Sequence, residues 1–585
     1  MDDEQKRLLE EVLFSGEKKL SIAKTLYFGG FHHDAVFPFP RPSKEERQAA
    51  DKLVAKLKEF ASEHIDGDRF DREKHIPDEV YRGLGEIGVL GITIPKEYGG
   101  LGLTQYVYGR VMFELSQLCS STALFVNAHQ SIGLKALVLF GTEEQKKRFL
   151  PPLAKGEMLA AFALTERNAG SDAGGVETYA EYDPKRKVYI LNGRKQWSTN
   201  SSKAGFLTVM ARTPVQTERG TEDKITAFIV TPDMEGFQVL DPFLDKGGMR
   251  ASVTANIAFK DMEVPESNIL GEKGKGLRVA LTVLDYGRTT FGMACTGPAH
   301  LLWELTREHA KSRYQFKRPL ASFGMVKQML ARMAANVYAM RATTEFTQGL
   351  IDRNKEEVLL EAAILKVFVS EQLWQISYDS MQVHGGKSLF TDMPLERIMR
   401  DVRLNTIGEG ANEVLRMFIA AVGLRDVGLQ FEKMAKALKH PISQFGVLKS
   451  FGKQGASYFR APRIPLQTAY LAKEAEQLSR FIRRFALANA RLLVRHREEI
   501  VEQQLLLNRI ADMVISLYTS IAVISKLDTA LAGVGKPNDE LKDELATGRL
   551  YLQMAFSRFE EALKTLHNNY DEQVEKLAEQ LTGVT

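Results

Sequence analysis

Three short segments carry residue types that could do chemistry. Residues 164–175 read LTERNAGSDAGG, mixing small residues with hydroxyls at Thr165 and Ser171. Backbone N–H groups in such a loop can approach phosphates or a cofactor ring closely, because small residues leave room. Residues 194–205 read RKQWSTNSSKAG, where Trp197 is followed by Ser198, Thr199 and Asn200. A flat aromatic ligand could stack on such a tryptophan while a hydroxyl bonds a ring nitrogen. Residues 407–423 read IGEGANEVLRMFIAAVG, and Val414, Leu415, Phe418, Ile419 and Val422 mark one helical face. With Asn412 as the expected cap, Glu409 stands just before a helix start, where backbone N–H groups lack intrahelical partners. Each segment also has a plain reading: a helix-to-strand loop, a core tryptophan, and a solvated carboxylate facing a helix dipole. Two further segments belong with these, EHAKSRYQF at 308–316 and MQVHGG at 381–386.

The elements that must position these residues follow from hydrophobic period. Ser43 and Glu46 have capping-box spacing after Pro40 and Pro42, and Leu53, Val54, Leu57, Phe60 and Ala61 then recur at helical spacing. From about residue 161 the pattern shortens to runs at 187–191, 206–210 and 225–230, separated by Asn-Gly, Thr-Pro and Glu-Gly turns. Such runs predict strands of an antiparallel barrel or sandwich. Long helical patterns return at 275–425, and residues 467–532 contain neither glycine nor proline. The expected fold is α+β and mostly helical. It comprises a helical N-terminal domain (1–160), a β domain (161–270), a helical bundle with the candidate base (271–425), a basic segment (426–475) and an extra helical domain (476–585).

Composition narrows the function classes. The 585 residues are 44% hydrophobic and 26% charged with a net charge of +4, an ordinary globular balance that gives no reason to expect nucleic-acid binding. Cys119 and Cys295 are the only cysteines. Their separation predicts neither a disulfide scaffold nor a metal site, and it suits a reducing compartment. The opening MDDEQKRLLEEVLF is acidic at once, so neither a secretory signal nor a transit peptide is expected. No stretch reads as a membrane span, and the expected location is cytoplasmic.

Together, and in this order, the five segments resemble the acyl-CoA dehydrogenase family over nearly the whole chain. AHQSIG at 128–133, LFGTEEQ at 139–145, SFGMVKQMLARM at 322–333 and the extra helical region resemble its very-long-chain branch. The resemblance implies one FAD per subunit. Phe162, Leu164 and Thr165 would lie against its ring, Ser171 near its pyrophosphate and the substrate, Trp197 beside the ring and Thr199 on N5. Arg313, Phe316, Gln382 and Gly386 would reach the FAD of a neighbouring subunit, which makes the expected enzyme at least a dimer. Glu409 corresponds to the family's base, with Gly410 beside it as a substrate contact, and Asp285 and Arg288 resemble residues lining the CoA channel. By the same resemblance, the Glu409 N–H would stabilise the thioester oxygen as charge develops on it. A minority of the family carries the base at the position of Gly287, which cannot serve here. The implied reaction converts long-chain acyl-CoA to trans-2-enoyl-CoA, the first step of fatty acid β-oxidation, with electrons passed to an electron-transferring flavoprotein. An acyl-CoA oxidase and a non-catalytic assembly protein are the alternatives.

Several positions depart from the family pattern. Arg167-Asn168 stands where Pro-Gly or Pro-Ser is common, Gly408 where an aromatic residue is frequent, and Ala411 where threonine usually bonds FAD. A basic stretch between Glu432 and Glu474 contains no acidic residue. Lys433, Lys436, Lys439, Lys449, Lys453, Arg460, Arg463 and Lys473 are interleaved there with Phe445, Phe451, Tyr458 and Phe459. Basic residues with aromatic anchors suit an anionic membrane surface, so segment 433–473 is read as a peripheral attachment to the inner face of the membrane. A linker docked on the protein's own acidic surface is the plainer reading.

Overall fold

The computed structural model describes residues 20–354, 357–439, 460–534 and 536–584. The described residues form two compact units, one of residues 41–327 and 369–411 and the other of those within 20–40, 328–368 and 412–584.

The first unit begins with helices. Helix α1 (Lys44–His64) starts with both halves of the expected capping box, the Ser43 side chain on the Glu46 N–H and the Glu46 side chain on the Ser43 N–H. Its buried Leu53, Val54 and Leu57 join a core with residues of α2 (Gln105–Leu118) and α3 (Ser120–Asn127). After α3 the backbone widens into a π-helical turn, Ala128–Gly133. Helix α4 (Glu143–Lys155) is capped by a second box, Thr142 with Gln145.

The period-two region forms one seven-stranded sheet: β1 (Ala160–Ala163), β2 (Tyr179–Asp183), β3 (Val188–Thr199), β4 (Phe206–Thr217), β5 (Gly220–Val230), β6 (Phe237–Asp241) and β7 (Thr254–Pro265). The predicted runs at 187–191, 206–210 and 225–230 fall within or at the start of β3, β4 and β5. The sheet is not wholly antiparallel. β1 pairs parallel with β4, in register Ala160 to Phe206. β1 enters from the helical region rather than through a hairpin, so no tight turn forces the antiparallel sense. The β3–β7 ladder shifts register between Lys195 and Ser198, a bulge that places Gln196 and Trp197 out of step.

Helix α5 (Gly276–Ser312) crosses the unit, α6 (Gly324–Arg353) and α7 (Leu359–His384) each run from one unit into the other, and α8 (Leu395–Leu404) precedes the Glu409 loop. The second unit adds α9 (Asn412–Lys439), α10 (Ala472–His496), α11 (Gln504–Ala532), α12 (Asp539–Thr565) and α13 (Asp571–Thr582). Asn412, expected as a cap, is the first helical residue of α9, and its Oδ1 accepts from the buried Lys366 Nζ at 2.8 Å. The glycine-free stretch is not one helix either, because the chain breaks at Arg497, whose φ is 51°.

Two described helical stretches are long and apolar enough to cross a membrane, 120–140 and α11, which corrects the expectation that none would be. They are core helices by position: 72% and 89% of their apolar windows are buried within the protein. Segment 433–473, read as a membrane attachment, lies partly outside the described residues, which omit 440–459.

Candidate active site

The site is built on the ends of β1 and β3. Gln196 N–H donates to the Thr165 carbonyl at 2.8 Å, and Ser198 Oγ donates to the Phe162 carbonyl at 2.9 Å, so the two strands carry Phe162, Leu164, Thr165, Trp197 and Thr199 together. Under them lies an ion pair. Lys195 Nζ is 2.6 Å from Glu166 Oε1 and 3.1 Å from the Leu164 carbonyl, and Glu166 also accepts from the Glu177 and Thr178 N–H groups. Both side chains are buried. Burial pulls Lys195 down to about 8, while Glu166 opposes the fall. Burial acts to raise Glu166, but Lys195 and the donated hydrogen bonds hold it below the usual carboxylate range. Both groups are therefore charged near neutral pH, and the pair fastens the 164–166 loop to β3.

Above this pair the bulge turns Trp197 outward. Its φ is 54°, its N–H donates to Asn256 Oδ1 at 3.3 Å, and the residue is 65% exposed. A large apolar ring held in the left-handed region and left in solvent is costly on both counts, and such strain marks functional positions. Thr199, half-buried, pairs with Thr254 of β7. Asn200 closes the segment by donating to the Phe125 and Ala160 carbonyls. Ser171 is exposed in the loop after β1.

Glu409 occupies the loop between α8 and α9 with φ 57°, followed by Gly410 at φ 101°. Arg288, 6% exposed on α5, donates from Nε to the Glu409 carbonyl at 3.3 Å and from its other arm to Asp285 Oδ1 at 3.1 Å. The Asp285–Arg288 pair is thus an internal brace for the strained loop rather than a surface ion pair. The Glu409 side chain reaches towards the helical region, where Asn127 Nδ2 donates to its Oε1 at 3.1 Å. A Cβ placed on Gly287 would stand 3.3 Å from Glu409 Oε2, so the carboxylate uses space that the absence of a side chain leaves.

The remaining expected residues form a second group. Arg313 ends α5, and Phe316 follows at φ 50° and 88% exposure. Gln382 and Gly386 are exposed at the end of α7 and just after it. His309 of α5 stacks on His384 of α7 with ring centroids 4.3 Å apart, which brings these two helix ends side by side. Sequence reasoning missed three features: Asn127, the Lys195–Glu166 pair and the bulge at Trp197. Lys195 carried no signal, since at i and i+2 it and Trp197 would share one face of a regular strand, and only the bulge buries one and exposes the other. Asn127 carried none, being 282 residues from its partner.

The domains match known families in the same order. Family models described as acyl-CoA dehydrogenase N-terminal, middle and C-terminal domains match residues 46–157, 161–262 and 274–424. A model described as the ACAD9/ACADV C-terminal domain matches 469–583. The human very long-chain specific mitochondrial acyl-CoA dehydrogenase is 35% identical over 523 residues, 88% of this chain and 79% of that protein. The chain belongs to the acyl-CoA dehydrogenase family, whose members are FAD-dependent oxidoreductases. Among solved structures, an acyl-CoA dehydrogenase complexed with FAD from Bacillus anthracis matches with a TM-score of 0.79 and 28% identity, covering 97% of this chain and 96% of that one. Butyryl-CoA dehydrogenase from Megasphaera elsdenii matches with a TM-score of 0.61 and 30% identity, covering 65% of this chain and 98% of that one.

The residues present fit FAD. Trp197 offers an exposed aromatic face beside the backbone and hydroxyl of Thr165 and the hydroxyl of Thr199, a donor set suited to a flat heteroaromatic ring. Gly170 beside Ser171 has open space where a side chain would stand, which allows close backbone approach.

Proposed function

We propose that this acyl-CoA dehydrogenase acts on long-chain acyl-CoA, with Glu409 removing the α-proton, and passes its electrons to an electron-transferring flavoprotein. One observation carries the assignment of the base: Glu409 is a carboxylate on a strained loop, braced through its own carbonyl by Arg288 and met at its carboxylate by Asn127. A thioester α-proton is weakly acidic, so a base must be held at the carbon, and the enolate charge that develops needs a partner. Arg288 holds the Glu409–Gly410 peptide by its carbonyl, and the peptide before it would present the Glu409 N–H to the thioester oxygen. FAD, when bound, supplies the acceptor for the β-hydride. Phe162, Leu164, Thr165, Trp197 and Thr199 would hold its ring, and Ser171 would lie towards its phosphates and the substrate. The product is the trans-2-enoyl-CoA.

Long-chain preference is supported by the extra helical region. The match to a very-long-chain relative includes it, whereas butyryl-CoA dehydrogenase covers only 65% of this chain. A homodimer is supported by the exposed apolar groups Tyr314, Phe316, Met325, Leu389 and Phe390, which a lone subunit would leave in water. Arg313, Phe316, Gln382 and Gly386 would then serve the partner's FAD. Peripheral membrane attachment of a cytoplasmic enzyme through 433–473 rests on sequence alone. Flotation with anionic but not neutral liposomes tests it.

The test of the reaction is anaerobic mixing with acyl-CoA of increasing chain length while the visible flavin spectrum is followed. Wild type should bleach with palmitoyl-CoA, and Glu409→Gln should keep its yellow FAD and slow by about 100- to 10,000-fold, the usual worth of a general base. Bleaching confined to short chains would overturn the chain-length assignment. Peroxide formation under air at the full turnover rate would favour an oxidase instead.

A further inference from the structure

The motif AHQSIG at 128–133 is the π-helical turn after α3. Such turns carry an extra residue relative to an α-helix and recur at functional sites. Here the turn's polar side chains are all committed inward. His129 Nδ1 accepts from the Ala160 N–H at 2.9 Å, and Nε2 faces the Leu153 carbonyl at 3.2 Å. Burial lowers its pKa to about 4, so the ring is neutral with its proton on Nε2. Gln130 Nε2 donates to the Val89 carbonyl at 2.6 Å. Ser131 turns back onto α3: its Oγ lies 2.9 Å from Asn127 Oδ1 and 3.2 Å from the Tyr108 hydroxyl.

Tyr108, Ser131 and Asn127 are all buried, and the line they form ends on Glu409 Oε1. An amide can face a carboxylate with its NH₂ or with its oxygen, and only the NH₂ end attracts it. The carboxylate accepts only, so Nδ2 turns to it, and the Ser131 hydroxyl, donating its proton to Oδ1, holds the amide in that pose.

We propose that Asn127 is a positioning residue for Glu409. Oriented by Ser131 and Tyr108, it holds the carboxylate ionised and aimed before substrate arrives. This rests on the reading of Glu409 as the base. A hydrogen bond donated to a carboxylate favours its charged form. Charged and titratable groups facing the base from the packed elements include Arg288, which engages the Glu409 carbonyl with Asp285 behind it, and Tyr108, which burial keeps protonated. From α5 itself, Gly287 presents no side chain to the carboxylate.

The experiment is the pH dependence of anaerobic flavin reduction by palmitoyl-CoA, run on the FAD-loaded enzyme. The variants are Asn127→Leu, Asn127→Asp, Ser131→Ala and Glu409→Gln. Asn127→Leu should move the rising limb of the rate profile up by about one pH unit, the worth of one hydrogen bond to a charged group, with acyl-CoA binding little changed. Asn127→Asp, which matches the native shape should the leucine variant fold poorly, should move the limb further, because two adjoining carboxylates resist joint ionisation. Ser131→Ala should move it the same way by less. A purely structural role would lower melting temperature without moving the limb. Wild-type limbs in both Asn127 variants, with Glu409→Gln inactive, overturn the proposal and leave the base assignment standing. A Glu409→Gln enzyme that reduces its flavin at the wild-type rate overturns both.

Discussion

In the unit that holds Glu409, left-handed backbone at non-glycine residues falls on Trp197, Phe316 and Glu409, alongside six others. Among the described residues of the second unit it falls on Asn354 and Arg497. Those two have a plain cause, since each ends a helix and asparagine tolerates this conformation better than most residues. Trp197 and Glu409 end no helix. Each is kept in place by neighbours, the Asn256 side chain for one and Arg288 for the other. The contrast separates strain left over from terminating a helix from strain that its surroundings maintain at a site.

Buried carboxylates make the same division within the second unit. Burial acts to raise Glu345, yet Lys526 and Arg341 carry it down to about 2. Glu361 accepts from Ser21 Oγ and the Ala23 N–H, and burial raises it to about 7. Glu166 in the first unit follows Glu345, because Lys195 meets it.

The largest effect should come from breaking that last pair. Lys195→Met leaves Glu166 charged in the interior and should cost about 3–5 kcal/mol of stability in chemical denaturation, with loss of bound FAD. Lys195→Met combined with Glu166→Leu should regain much of the stability but not the FAD affinity. Recovery of both would mean that the pair does not shape the cofactor loop. A smaller effect should follow pH at Glu361. Between its ordinary value of 4.5 and about 7, the folded state keeps a proton that the unfolded state has released. Stability from this group therefore falls as pH rises through that window and is lowest above 7. Glu361→Gln removes the penalty, so its advantage over wild type should be larger at pH 8 than at pH 5. Equal differences at the two pH values would contradict the assignment. The smallest effect tests the strain itself. Glu409→Gly and Arg497→Gly should each stabilise by roughly 1 kcal/mol, as relief of a left-handed residue allows. Only the first should abolish flavin reduction, and an inactive Arg497→Gly enzyme would erase the distinction between the units.

Much of this was legible in the residue order because it depends on local pattern. The capping box at Ser43, the strand runs and the helix after Glu409 all follow from neighbours within a few positions. What was not legible depends on meetings across the chain. The parallel β1–β4 pairing depends on how the chain enters the sheet. The bulge at Trp197 depends on the register of β7. The Asn127–Glu409 bond joins a helix of the N-terminal region to a loop near residue 409, and no local period could announce it. The break at Arg497 occurs without glycine or proline, so no composition signal marked it.

The nearness of position 287 to the carboxylate also limits how this enzyme could change. Any side chain there would begin 3.3 Å from Glu409 Oε2 and 3.0 Å from an Ile132 methyl. A glutamate at 287 could not be gained while Glu409 keeps its present pose. An enzyme of this lineage that placed its base on α5 would need the Glu409 carboxylate to shift out of that space, so the two placements of the base compete for one volume.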